Sequence, residues 1–141
     1  MHVDRTPIRP IPSWWRYVPL LGDEIATTVY PHLYFPKSLY ESRITTEPSK
    51  EAYGVYLHEL THLSRQMTYG PILWNITYIT SRQFRLREEL VAIQTQMKYL
   101  KSENLEYDIE RKAKQFSSGT YLWVLPLEKA RDALQELWNR A

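Results

Sequence analysis

The sequence predicts an α+β domain: a small N-terminal β-sheet or hairpin, then four or so helices that make up the mostly helical C-terminal two-thirds. Three observations carry that expectation. Seven of the nine prolines lie at or before Pro48, so the first third is hostile to helices, whereas Pro71 and Pro126 alone interrupt the remainder. Beyond Pro48 the apolar residues recur at helical spacing. The 141 residues, 43% of them hydrophobic, suit a single domain spanning 1–141 with no internal repeat.

In chain order, residues 1–22 read as an extended Pro/Trp-rich arm, pinned to the body by Trp14, Trp15 and Tyr17. Ala26–Phe35 (ATTVYPHLYF) is β-branched and aromatic, and Pro31 within it suits an edge strand or a bent hairpin arm. Leu39–Thr46 is a weaker second strand. A helix is expected from about Pro48 to the Gly70-Pro71 break, with Tyr56, Leu60, Leu63 and Met67 as its core stripe. Another begins at Thr80, which with Gln83 resembles a capping box, and runs to about Lys101 on the stripe Leu86, Leu90, Ile93, Met97 and Leu100. Asn104–Phe116 and Pro126–Trp138 complete the set, the latter burying Leu127, Ala130, Leu134, Leu137 and Trp138.

Charge narrows the function. Eighteen basic against sixteen acidic residues leave +2, too small an excess for a nucleic-acid binder, and Arg111, Lys112 and Lys114 are interleaved with Glu106, Asp108 and Glu110. With no cysteine, a soft-metal site has to be built from His and carboxylates. Arg5, Arg9 and Arg16 precede no uninterrupted apolar run, so neither a signal peptide nor a spanning helix is legible. The expectation is a cytoplasmic protein without a membrane partner, or a virion-associated one if phage-encoded.

The most informative letters are His58-Glu59-Leu60-Thr61-His62. Histidines at i and i+4 lie one helical turn apart on one face, so both imidazoles can reach one tetrahedral ion at about 2.0–2.1 Å. Glu59 is rotated about 100° from His58. That placement reaches a metal-activated water and suits a general base. A third ligand is needed, and no histidine follows His62. It is therefore a carboxylate, or His2 or His32 from the N-terminal third. Winding the second long helix places Glu89 about 60° from the centre of its apolar stripe and Glu88 about 160° away. Glu89 is expected to face the metal and Glu88 to face water.

HELTH, Gln66 and the E-x-x-A run Glu89-Leu90-Val91-Ala92 resemble the Glu-zincin metallopeptidases, and also small uncharacterised metallopeptidase-like proteins of bacteria and phages. The resemblance implies a minimal zincin-like fold, Zn2+ on His58, His62 and Glu89, and Glu59 as general base. It also implies an edge strand, Ala26–Phe35 or Leu39–Thr46, that pairs with substrate backbone. Many relatives carry an Asp at the position of Ile93 to orient a zinc-bound histidine; Gln66 or Gln96 is expected to substitute. An oxyanion donor is expected from Tyr121, with His32, Tyr34 and Arg87 as alternatives.

Two functions follow. One is a zinc metalloendopeptidase acting on a protein or peptide. The other is a structural or assembly protein, such as a phage-particle component, that keeps the zinc site without proteolysis and uses its five Trp and eleven Tyr to form a homo-oligomer or larger assembly. Hydrolysis of a non-peptide amide is a weaker third option.

Overall fold

The computed structural model describes residues 7–17, 25–41, 44 and 47–141. Its first third is a three-stranded sheet and the rest is helical, the α+β architecture expected. Strand β1 (Ile8–Pro10) runs parallel to β3 (His32–Phe35), and β2 (Thr27–Val29) pairs with β3 antiparallel, giving the order β1-β3-β2. Ala26–Phe35 is thus a hairpin folded at the cis Tyr30-Pro31 bond, with Val29 opposite His32. Its first arm is an edge strand and its second is central.

The arm is less extended than expected. Ile8 pairs with Leu33, and Ser13–Tyr17 forms a 3-10 turn. Of the three aromatic anchors only Trp15 is buried, its ring 4.5 Å from that of Tyr34, while Trp14 and Tyr17 are exposed. The described residues of the proposed strand Leu39–Thr46 do not form one: Lys37–Glu41 is a short helix, α1, opened by the Tyr40 N–H to Pro36 carbonyl bond. A proline that starts a turn outweighs the weak strand propensity that follows it. Residues 42, 43, 45 and 46 of that run lie outside the described residues, as do His2, Arg5 and 18–22 of the arm.

Helix α2 (Lys50–Tyr69) is capped by Ser49, whose hydroxyl accepts from the Ala52 N–H, and it ends at Gly70, where φ is +90°. Its expected aliphatic stripe is not its most buried face. Leu60 and Leu63 are half-buried and Met67 is exposed, whereas His58, Glu59, His62 and Gln66 are buried. Helix α4 (Arg82–Ser102) packs along this polar face, with Gly54 facing Leu100 and Gln96. Between them lies a helix not expected from the sequence, α3 (Pro71–Thr80), whose β-branched run hid the signal of Pro71 at its first turn. The cap of α4 is Ser81, one residue beyond Thr80.

Helices α5 (Ile109–Phe116) and α6 (Leu127–Arg140) close the molecule against α4. Helix α5 starts five residues later than expected, at an Asp108 cap. The core is in two parts. Ile8, Leu33, Phe35, Ile44, Ala52 and Tyr56 pack beneath the sheet; Ile93, Met97, Phe116, Val124, Leu134 and Leu137 pack among α4, α5 and α6. No helix among the described residues is long and apolar enough to cross a membrane.

Candidate metal centre

Helices α2 and α4 meet between the two apolar clusters, and their facing polar residues form the site. His58 Nε2 and His62 Nε2 lie 3.2 Å apart; His62 Nε2 is 3.3 Å from Glu89 Oε1, and His58 Nε2 is 3.4 Å from Glu89 Oε2. A tetrahedral ion with bonds of about 2.05 Å holds its ligands about 3.3–3.4 Å apart. The two imidazoles are spaced nearly as two such ligands are, and each stands at about that distance from a different oxygen of Glu89. All are buried, and together they form a group that can hold a metal ion. Glu89 Oε2 has no hydrogen-bond partner, an orphaned carboxylate oxygen that a cation would satisfy. His32 is not part of the cluster; it lies on β3 beside Tyr34, their rings 6.0 Å apart.

Charge within the group is strongly coupled. Burial works to raise the Glu89 pKa, but the neighbouring imidazoles overcome it and hold the carboxyl well below its usual range. Burial likewise works against a charged His62, yet Glu89, helped by Glu59 and Glu88, holds that imidazole above its ordinary value.

Glu59 is buried beside His58. Its Oε1 is 3.8 Å from His58 Nε2, and its Oε2 accepts from the Thr28 hydroxyl at 2.7 Å. Strand β2 thus fixes the carboxylate beside the ligand set rather than within it. Gln66 completes this attachment in an unexpected way. Its side-chain amide donates to the Thr28 carbonyl at 3.1 Å and accepts from the Tyr30 N–H at 3.0 Å, so it grips β2 instead of an imidazole. Those groups belong to the edge of β2 turned away from β3, because Leu33 directs its own N–H to Pro7 on the far side. Gln66 therefore occupies the strand edge expected to receive a substrate backbone.

Gln96 is half-buried against Gly54, a turn before His58, and Ile93 is embedded in the apolar core. His58 Nδ1 and His62 Nδ1 have no hydrogen-bond partner. The Glu89 neighbour, Glu88, does not face water. It is fully buried and paired with Arg65, whose Nε and Nη2 both donate to it, the second at 3.2 Å. An α2 arginine reaching across the helix interface overrides the position of Glu88 on the helical wheel.

Several groups at the site carry no motif. Tyr78 of α3 donates to Glu89 Oε1 at 2.5 Å, and Trp74, stacked on Tyr78, sets its ring edge-on to His62 at 5.7 Å. Buried Arg85 donates to the carbonyls of Tyr78, Ile79 and Tyr121, tying α3 and the Gly119–Tyr121 turn to α4. Tyr121 is buried, and its hydroxyl accepts from Lys112 Nζ at 3.0 Å. Burial raises the Tyr121 pKa, and the charges of Glu89 and Glu59 add to this; burial lowers that of Lys112, with the same two carboxylates opposing. Arg87 is exposed over the Phe84 ring. Comparison of the chain with family models, with curated proteins and with solved structures returned no match.

Proposed function

We propose that the protein is a zinc-dependent peptidase in which His58, His62 and Glu89 hold the ion and Glu59 is the general base. The observation that supports this most is the position of Glu59: a buried carboxylate fixed by Thr28 beside the ligand group, outside the triangle of ligand atoms. Two imidazoles and one carboxylate form a ligand set that zinc uses in catalytic sites with an open position. When bound, the ion would supply Lewis acidity toward a peptide carbonyl and lower the pKa of a water to about 7. Glu59 would take a proton from that water and return it to the leaving amine. Tyr121, whose hydroxyl accepts from Lys112 and keeps its own proton to give, would donate to the developing oxyanion. Tyr78 would keep Glu89 in its orientation.

A second reading is a structural zinc site in an assembly protein. It is favoured by the depth of the group, since His58, Glu59, His62 and Glu89 are each at most 5% exposed, and by the closure of the β2 edge by Gln66. One experiment separates the two. Glu59→Gln is expected to retain zinc and lose cleavage of a casein or peptide-library substrate by about a hundredfold or more. Wild-type cleavage by this variant would overturn Glu59 as the base; no cleavage by the zinc-loaded parent would leave the structural reading, in which His58→Ala lowers the melting temperature and Glu59→Gln does not.

A further inference from the structure

We propose that the outward face of α3 is a docking surface for a lipid bilayer with anionic headgroups. This helix has two sides. Trp74 and Tyr78, four residues apart, turn inward to His62 and Glu89. On the opposite face Ile72, Leu73, Ile76 and Ile79 are 78%, 62%, 55% and 53% exposed, and Met67 in the last turn of α2 is 62% exposed. Large aliphatic side chains left in water over two turns mark an interaction site.

The chemistry around the patch identifies the partner. Helix α3 has no charged residue, and its polar side chains are turned back onto their own backbone: Asn75, Thr77 and Thr80 donate to the carbonyls of Pro71, Leu73 and Ile76. Thr68 does the same to Ser64. Polar groups satisfied within the helix suit an apolar medium, where no water is at hand, and offer little to a polar protein partner. Charge gives the sign of the surface. From Leu60 to Arg87 the chain contains four arginines and no acidic residue. Arg65 and Arg85 are engaged within the fold, whereas Arg82, at the start of α4, and Arg87, further along it, are exposed. A second copy docked through this stretch would offer these arginines no carboxylate from residues 60–87. Anionic headgroups would receive both. With ten residues, about 15 Å long, α3 is too short to span a bilayer and would lie in its surface, with Tyr69 near the headgroups.

The test is co-flotation of the full chain with phosphatidylcholine vesicles, with and without phosphatidylglycerol. Binding is expected with phosphatidylglycerol and is expected to weaken as salt is raised. Ile76→Asp should reduce it at least tenfold, as should Ile72→Asp at the most exposed position, with the helical circular dichroism unchanged. Arg82→Gln combined with Arg87→Gln should remove the preference for phosphatidylglycerol. Failure of the parent to float with either vesicle, or equal flotation of both aspartate variants, overturns the proposal. A solution dimer that Ile72→Asp makes monomeric also overturns it and assigns the face to a second copy. None of these readouts depends on peptidase activity.

Discussion

Glu89 is a carboxylate kept charged in a dry site, and its neighbours record the effect. Because His62 is held above its ordinary pKa, the metal-free protein carries a proton there at pH values where a free imidazole has already lost it. Metal binding requires the neutral ring, so that proton must leave. Zinc affinity is therefore expected to rise with pH through and above the ordinary imidazole range and to level off once the raised His62 pKa is passed. Calorimetric titration in two buffers of different ionisation heat reads the released proton; an affinity flat across this range would contradict the coupling. His58, Glu59, His62 and Glu89 were legible because helical spacing alone puts them on facing sides. Glu88 was misplaced by the same geometry, since a helical wheel cannot show that Arg65 would arrive from another element. Tyr78, Lys112 and Arg85 had no spacing relation to the motif and could be found only from tertiary contacts.

Two helix interfaces carry the arrangement. Between α2 and α4, the Arg65–Glu88 pair buries one carboxylate completely while Arg65 retains 28% side-chain exposure. Removing Arg65 strands a buried charge. Arg65→Met is expected to destabilise the protein by about 2 kcal/mol, below the figure for a fully buried pair because the arginine is partly solvated. Arg65→Met with Glu88→Met should recover most of that loss in urea unfolding, whereas additive losses would contradict the pairing. Gly54 on the same interface leaves room for a methyl group, whose nearest neighbours would be Gln96 and Leu100 side-chain atoms at 3.4 Å. Gly54→Ala should gain about 0.5–1 kcal/mol from helix propensity, visible as a raised melting temperature; a lowered one would mean that α4 cannot give. The long helices were legible to within a few residues because Pro48, the Gly70-Pro71 break and the Thr80 and Gln83 pair punctuate them; the caps that form, Ser49 and Ser81, each lie one residue further on. Helix α3 was not, because Ile, Thr and Trp in succession favour a strand as readily as a helix until Trp74 and Tyr78 have something to pack against.

Across the molecule, α2 belongs to the cluster beneath the sheet and α4 to the cluster among the C-terminal helices, so the metal group lies on the seam between two cores. Zinc at a hundredfold excess over its dissociation constant stabilises the folded state by about 2.7 kcal/mol. Chelation should accordingly lower the melting temperature by roughly 10 °C, and His58→Ala should abolish the response. A melting curve indifferent to chelator would mean that no ion sits on the seam. The α+β class followed from proline placement and periodicity, which are local. The parallel pairing of Ile8 with Leu33 was invisible for the opposite reason, since it joins segments more than twenty residues apart. In polymer terms, an ion held by His62 and Glu89 ties off a loop of roughly 27 residues, and a cross-link of that span removes about 3.5 kcal/mol of unfolded-chain entropy. A chain without cysteine would thereby gain a staple that pH and chelators can open. Helix α3 lies wholly inside the loop so closed, which makes the anchoring of its apolar face a property of the ion as much as of its own packing.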